Sequence, residues 1–174
     1  AIEARDYLEK NGVKRAVVAG GGFIGLEVAE NLLEKGVSVT VIDMADQIMP
    51  GFDREMADFA ARHLEKKGIR VMVSTRLEGV AGSRRAEGVQ TDKGLLPADL
   101  VILSLGIRPN TGFLQGTGIE MFKGTILVDD KLATNVEGVY AAGDCAMVTN
   151  RITGQRQWSP MGSSANMEGR TLAL

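Results

Sequence analysis

A glycine-rich turn near the start of the chain constrains the fold more than any other feature of the sequence. Gly20, Gly22 and Gly25 form a GxGxxG pattern between the apolar residues 16–19 and a helical pattern over residues 23–35. The first glycine permits a tight turn, the second lets the backbone approach a pyrophosphate, and the third lets the helix pack on the sheet. The first N–H groups of the helix can bind the anion, because they have no partner within it. The pattern therefore predicts a dinucleotide-binding turn, with an ordinary structural turn as the alternative.

A second apolar run, residues 39–42, ends in Asp43. A carboxylate at this place can accept hydrogen bonds from both hydroxyls of an adenosine ribose, whereas a 2′-phosphate would meet like charge. The next residues, 44–47, include no Arg or Lys that could hold such a phosphate. The sequence therefore predicts NADH as the cofactor and disfavours NADPH.

The composition of the 174 residues excludes several classes of function. The net charge is −2, from 20 basic and 22 acidic residues with no basic block, so neither nucleic acid nor an anionic membrane is an expected partner. There is no long apolar run and no signal-peptide pattern, so we expect a cytoplasmic protein. Cys145 is the only cysteine, which excludes an internal disulfide, a CxxC pair and a zinc cluster within these residues; no metal site is predicted.

The order of the segments predicts an α/β fold of the Rossmann-like, three-layer kind, with a parallel sheet and an antiparallel meander. The predicted elements are helix 1–10, strand 15–19, helix 23–35, strand 37–43, a helix capped by Asp53 and ended by Gly68, strand 69–73, a meander over 76–96 and strand 100–105. The apolar face of the third helix is expected to carry Met56, Phe59, Ala60 and Leu64.

The chain changes character after a break at residues 106–110, which is a candidate domain boundary. A strand is expected at residues 125–128, and a buried strand at residues 139–142 with Gly143 and Asp144 at its end. A last helix is expected from Ser163 to the end of the chain at Leu174.

Four motifs together resemble the pyridine nucleotide-disulfide oxidoreductases, which are FAD flavoproteins with two dinucleotide-binding domains. The motifs are residues 20–27, residues 47–56, residues 105–110 and the run from Thr134 to Asp144. They span nearly the whole chain. The branch to which they are most similar contains NADH oxidases, NADH peroxidases and coenzyme A-disulfide reductases.

The resemblance implies two domains. Residues 1–107 correspond to the NAD(H)-binding domain, and residues 108–174 to the C-terminal part of an incomplete FAD-binding α/β domain. Members of the family carry another FAD-binding glycine motif and a redox cysteine upstream, and a dimerisation domain downstream. We therefore expect the chain to be the central portion of a longer homodimeric enzyme that uses FAD and NADH.

The resemblance also implies contacts with NAD. They are expected at Gly20, Gly22, Phe23, Ile24, Gly25, Asp43, Phe52 and Gly106. Phe23 would gate the nicotinamide pocket against the flavin, or else pack under the loop, and Glu27 would lie near the carboxamide and the flavin edge, or else be an ordinary solvated glutamate. Ile24 has a core role as its alternative, Phe52 a hydrophobic staple, and Gly106 an ordinary turn.

On the FAD side, Gly143 and Asp144 are expected to hold the ribityl chain, and Gly162 and Ser163 to direct helical N–H groups at the flavin pyrimidine. An N-cap by Ser163 or Ser164 is the competing explanation. Cys145 is interpreted as structural, because no base lies beside it in the sequence. His63 is expected on a helix surface. Trp158 is expected to border the flavin region, although no sequence motif requires this.

The function that the resemblance implies is transfer of hydride from NADH to FAD and onward to a disulfide, a persulfide, oxygen or peroxide. The acceptor is then a small molecule or a thiol/disulfide compound. Two alternatives stay open. One is a flavoprotein electron-transfer reductase that serves a small redox protein, and the other is a non-catalytic module that senses NADH.

Overall fold

A computed structural model describes residues 2–173. Ala1 and Leu174, which belong to the predicted first and last helices, lie outside the described residues. The chain divides into two compact units, Ala1–Gly106 and Ile107–Leu174. No helix among the described residues has the length and apolar character needed to cross a membrane.

The first unit is a mixed α/β domain. Its elements are α1 (Ile2–Asn11), β1 (Arg15–Ala19), α2 (Phe23–Glu34), β2 (Ser38–Ile42), α3 (Arg54–Lys67), β3 (Arg70–Met72), β4 (Leu77–Ala81), β5 (Gly88–Thr91), β6 (Gly94–Pro97) and β7 (Leu100–Leu103). Strands β3, β2, β1 and β7 form a parallel sheet in that order, and β4, β5 and β6 form an antiparallel meander. The predicted fold class is confirmed.

The parallel sheet is covered on both faces. Val18, Val39 and Val41 are fully buried against α2 and α3, in a cluster that includes Leu26, Ala29, Leu32 and Leu64. On the opposite face, Val17, Ala19 and Ile42 pack with Val89 of β5 and with Ala98, which directly follows β6. Since side chains of a strand alternate between faces, both faces need apolar residues. The three layers are therefore helices, parallel sheet and meander.

Helix α3 differs from its prediction in two respects. Asp53 is the N-cap residue, but its side chain makes no capping hydrogen bond. Met56 and Phe59 are 56% and 64% exposed, whereas Ala57 and Leu64 are buried. Ala60 and Ala61 are partly buried against the same cluster as Leu64. The buried face of α3 therefore includes Ala60 and Leu64, as predicted, but neither Met56 nor Phe59.

The second unit is small and contains one mixed sheet. Its regular elements are β8 (Met121–Phe122), β9 (Thr125–Leu127), β10 (Ala146–Thr149), β11 (Arg156–Gln157) and α4 (Gly162–Leu172), with 3₁₀ turns at Gly112–Leu114 and Gly143–Cys145. The sheet order is β11, β10, β9, β8. Ile126, Val128, Leu132, Ala141 and Ala146 form its buried core.

The predicted strand at residues 139–142 is wrong. Only Tyr140 pairs there, in an isolated bridge with Ala133, and the strand begins after the Gly-Asp pair, at Ala146. Gly143 has a φ of +79°, so the chain turns into a 3₁₀ turn before β10 pairs with β9. Asp144 therefore lies ahead of a strand and not at the end of one.

Candidate functional site

Two of the predicted glycines are required by the protein itself. A Cβ on Gly20 would lie 2.0 Å from the carbonyl oxygen of Ser104, and a Cβ on Gly25 would lie 2.0 Å from the carbonyl oxygen of Gly20. Gly20 also has a φ of +112°, a conformation that other residues rarely adopt. The turn between β1 and α2 is thus packed against Ser104, which directly follows β7, and against the first turn of α2, as the GxGxxG pattern predicts.

Gly22 lies in a different environment. A Cβ built on it would meet nothing within 4 Å, so the space beside its backbone is open. Gly22 is the N-cap of α2 and supplies no side-chain cap. Among residues 2–173, no protein acceptor bonds the N–H groups of Gly22, Phe23 and Ile24. An open backbone with unpaired N–H groups at a helix N-terminus is the arrangement that binds a pyrophosphate.

The carboxylate of Asp43 is fixed by two backbone N–H groups. Gly21 donates to Oδ2 at 2.7 Å, and Ala45 donates to Oδ1 at 2.8 Å. Asp43 directly follows β2 and is partly exposed. Each carboxylate oxygen has a further lone pair, so the group can still accept hydrogen bonds from ribose hydroxyls.

Gly21, which the sequence analysis did not assign to the site, connects the turn to the loop after β2. Its carbonyl oxygen accepts the N–H of Met49 at 2.8 Å, and a Cβ on it would lie 2.8 Å from Cγ2 of Ile48. The loop is also bonded from its other side, where Ser74 donates to the carbonyl oxygen of Ala45. The only signal in the sequence was a third consecutive glycine. The loop is therefore fixed before any ligand binds.

An exposed aromatic pair lies beside the turn. The rings of Phe23 and Phe52 meet edge to face, with centroids 5.5 Å apart. Phe23 and Ile24 are 62% and 63% exposed, so neither is a core residue in the described unit. Phe23 is the first residue of α2, and Phe52 directly precedes the N-cap residue of α3. The pair leaves an apolar surface available for a planar ring.

Two further predicted residues are placed as follows. Glu27 is exposed on α2, and no partner of its carboxylate is found among the described residues; its carbonyl oxygen accepts the side-chain amide of Asn31. Gly106 follows β7 with a φ of +88° and open space where a Cβ would stand. The positive φ favours glycine there.

In the second unit, two side chains form hydrogen bonds with the backbone of Gly143 and Asp144. The N–H of Gly143 donates to Oε2 of Glu168 at 2.6 Å, and Nε1 of Trp158 donates to the carbonyl oxygen of Asp144 at 2.8 Å. Asp144 itself is exposed, and its carboxylate makes no hydrogen bond to the described part of the chain. The sequence analysis missed Glu168, because nothing in its local pattern relates it to a residue 25 positions earlier.

Helix α4 begins at Gly162, with Met161 as its N-cap and no side-chain capping bond. A serine N-cap is therefore wrong as the explanation of Ser163 and Ser164. The Ser164 hydroxyl lies 3.3 Å from that of Ser159 instead. The N–H groups of Gly162 and Ser163 have no acceptor within the described residues.

Other candidate groups do not form a site. The thiol of Cys145 is partly buried and lies 3.4 Å from the carbonyl oxygen of Ala142, to which it can donate. No group of three or more potential metal ligands occurs in the part of the chain that the structure describes. His63 is exposed on α3, as expected.

The parallel sheet, the glycine turn and the fixed carboxylate after β2 have the arrangement of a dinucleotide-binding α/β domain. A sequence model of one family, described as pyridine nucleotide-disulphide oxidoreductase, matches residues 1–165. The chain belongs to this family, and the predicted resemblance is confirmed.

Individual relatives differ in the activities that their names give. A protein of Methanocaldococcus jannaschii named NADH oxidase is 41% identical over 165 residues, which are 94% of this chain and 37% of that protein. The structure of a NAD-dependent persulfide reductase from A. fulgidus has a TM-score of 0.91 and 38% identity, with 98% of this chain and 32% of that chain covered. A ferredoxin reductase from Rhodopseudomonas palustris has a TM-score of 0.91 and 29% identity, with 99% and 43% covered. The chain thus spans less than half the length of each.

Proposed function

We propose that this chain is the NADH-binding portion of an FAD-dependent oxidoreductase, and that it also contributes part of the FAD site. The observation that supports this most strongly is the carboxylate of Asp43, which the N–H of Gly21 holds at 2.7 Å beside the open turn at Gly22. A fixed acceptor next to unpaired helical N–H groups matches the ribose and the pyrophosphate of one nucleotide.

In the first unit, Asp43 would accept hydrogen bonds from the ribose hydroxyls, and the N–H groups of Gly22, Phe23 and Ile24 would bind the pyrophosphate. The negative charge of Asp43 disfavours a 2′-phosphate, so NADH is preferred to NADPH. The exposed ring of Phe52 provides an apolar surface for the adenine. Glu27 lies one turn into α2 from Phe23, and we assign both to the neighbourhood of the nicotinamide.

In the second unit, the chemistry of the donors fits FAD. Asp144 presents a carboxylate without a protein partner among the described residues, and a carboxylate can accept hydrogen bonds from the hydroxyls of a polyol. The unpaired N–H groups of Gly162 and Ser163 stand at the positive end of α4, where the helix dipole favours negative charge on a flavin pyrimidine. Gly143 provides the turn that exposes Asp144.

The chemistry that bound FAD would supply is uptake of a hydride from NADH and delivery of its two electrons and proton to the final acceptor. The residues of this chain bind and orient; none of the described side chains has the environment of a nucleophile. Phe23 would cover the nicotinamide, and Glu27 would accept a hydrogen bond from its carboxamide. Residues 1–107 bind NADH in this proposal, and residues 108–174 contribute to FAD binding.

The final electron acceptor is a substrate of the longer protein to which, in this proposal, the chain contributes. A relative named NADH oxidase and a structure titled persulfide reductase support oxygen or a sulfur compound as the acceptor class. A ferredoxin reductase among the structural neighbours keeps a small redox protein as the second candidate. A homodimeric assembly and a cytoplasmic location remain parts of this proposal.

The test is a calorimetric titration of this chain with NADH and, separately, with NADPH. Replacement of Asp43 by Ala removes two ribose contacts and should weaken NADH binding by roughly tenfold or more. Asp46→Ala is the matched control, because Asp46 is an exposed carboxylate of the same loop whose one side-chain partner within the described residues is Arg54. Equal NADH affinity in wild type and Asp43→Ala would contradict the assignment.

A further inference from the structure

We propose that Glu168 is a positioning residue for the FAD site. It binds no cofactor itself; its carboxylate fixes the turn at Gly143–Cys145, and this turn sets the direction of Asp144. The inference rests on the proposed function, since it assigns a role to a residue of the FAD portion. It is carried by one contact, the hydrogen bond of 2.6 Å from the N–H of Gly143 to Oε2 of Glu168.

The turn lies directly on α4. Gly143 has a φ of +79°, and a Cβ built on it would stand 3.3 Å from Cβ of Ala165. Ala165 and Glu168 are three residues apart, so both lie on the same face of α4. The helix therefore contacts the turn with a small side chain at one position and with a hydrogen-bond acceptor one turn later.

The N–H of Gly143 needs this acceptor. The neighbouring strand β10 begins only at Ala146, so the sheet offers no partner to Gly143. A partly buried N–H group without an acceptor is costly, whereas a bond to a carboxylate is among the stronger hydrogen bonds of proteins. Glu168 supplies that acceptor from α4, which is an element distant in sequence.

The effect on Asp144 follows from the backbone. Glu168 accepts the N–H of Gly143, the carbonyl oxygen of Gly143 accepts the N–H of Ala146, and the carbonyl oxygen of Asp144 accepts the indole N–H of Trp158. With both neighbouring peptides fixed, the exposed carboxylate of Asp144 starts from one backbone geometry. An acceptor that is oriented in advance loses less entropy when it binds a flexible polyol.

The test uses the full-length flavoprotein that contains this chain. Glu168→Ala and Glu168→Leu both remove the acceptor, and the leucine keeps most of the side-chain volume. Glu168→Gln retains an oxygen at the same place. Glu137→Ala is the control, because Glu137 is an exposed glutamate of the same unit that makes no hydrogen bond to the described residues. The readouts are the dissociation constant of FAD, the visible flavin spectrum and the melting temperature of the apoprotein.

We expect Glu168→Ala and Glu168→Leu to weaken FAD binding by roughly tenfold or more and to shift the flavin spectrum, with NADH affinity unchanged. Glu168→Gln should stay within about threefold of wild type. FAD affinity and spectra equal to wild type in the Ala and Leu variants would overturn the positioning role. It would also be overturned if Gln failed to rescue and apoprotein melting fell in all three variants alike. A wild-type protein that binds no FAD would instead overturn the proposed function, and this inference with it.

Discussion

The backbone N–H of Gly21 donates a hydrogen bond of 2.7 Å to Oδ2 of Asp43. The two residues stand at the ends of neighbouring parallel strands, and the bond joins the phosphate-binding turn to the carboxylate that follows β2. The carbonyl oxygen of Gly21 also accepts a hydrogen bond from the backbone N–H of Met49. The first unit therefore holds its acceptor in place through the protein backbone, before a nucleotide arrives.

Replacement of Gly21 by Ala should disturb this connection. The new Cβ would lie 2.8 Å from Cγ2 of Ile48 and 3.3 Å from Oδ2 of Asp43, so the loop must move. We expect a loss of about 1–3 kcal/mol in the free energy of unfolding, as for other overpacked sites, together with weaker NADH binding. Urea unfolding and an NADH titration measure the two effects.

The control for that variant is Gly51→Ala. Gly51 lies in open space with no positive φ, so the change should leave the free energy of unfolding within about 0.5 kcal/mol. If Gly21→Ala were as stable as Gly51→Ala, the close contact with Ile48 would have no energetic consequence.

Replacement of Asp43 by Asn should change the preference between the two nicotinamide cofactors. The amide oxygen can still accept the N–H of Gly21, but the negative charge that repels a 2′-phosphate is gone. We expect the ratio of NADH to NADPH affinity to fall by roughly tenfold, which is one unit of 1.4 kcal/mol. An unchanged ratio would mean that Asp43 does not face the ribose.

The aromatic pair predicts a small effect on stability and a larger one on ligand binding. Phe23 and Phe52 are both substantially exposed, so Phe52→Leu removes an edge-to-face contact worth about 0.5–1.5 kcal/mol and little else. NADH binding should weaken more than that if Phe52 packs against the adenine. A double-mutant cycle with Phe23→Leu separates the ring contact from the ligand contact. Phe113→Leu, at an exposed ring of the second unit, should change neither quantity.

Acid should weaken the first unit through Asp99. The side-chain hydrogen bond from Arg15 holds the pKa of the Asp99 carboxyl below its ordinary value. Burial opposes this effect, and the N–H groups of Lys14 and Arg15 add to it. A group whose pKa is lowered by folding stabilises the protein above its unfolded pKa, and the contribution disappears as the pH falls through the folded pKa.

Asp99→Asn should therefore lower stability at neutral pH and flatten the loss of stability below about pH 4. Urea midpoints measured across that range test this, with Asp46→Asn as the exposed control. The same acid slope in Asp99→Asn and in wild type would contradict the role of this pair.

Local sequence patterns predicted the structure correctly where an element is determined by residues close to it in the sequence. The bounds of β1, the glycine turn and the stop at Gly68 all depend on residues close in sequence, and Gly68 does adopt a φ of +103°. The antiparallel meander was predicted from its turn glycines and is confirmed.

The remaining errors concern contacts between distant segments. The run before Gly143 is apolar enough for a strand, but the pairing with β9 is made by residues 146–147 instead. The roles of Gly21 and Glu168 depend on partners 22 and 25 positions away. Met56 and Phe59 are exposed because the buried face of α3 is formed by Ala57 and Leu64, with Ala60 and Ala61 partly buried beside them.

The most direct test is the visible absorption of the protein purified from its native source, recorded before and after NADH is added without oxygen. Our proposal predicts a polypeptide with flavin absorption that bleaches on addition of NADH, and much less with NADPH. A colourless protein that binds NADH and has no flavin would contradict the oxidoreductase assignment and would favour a module that senses NADH.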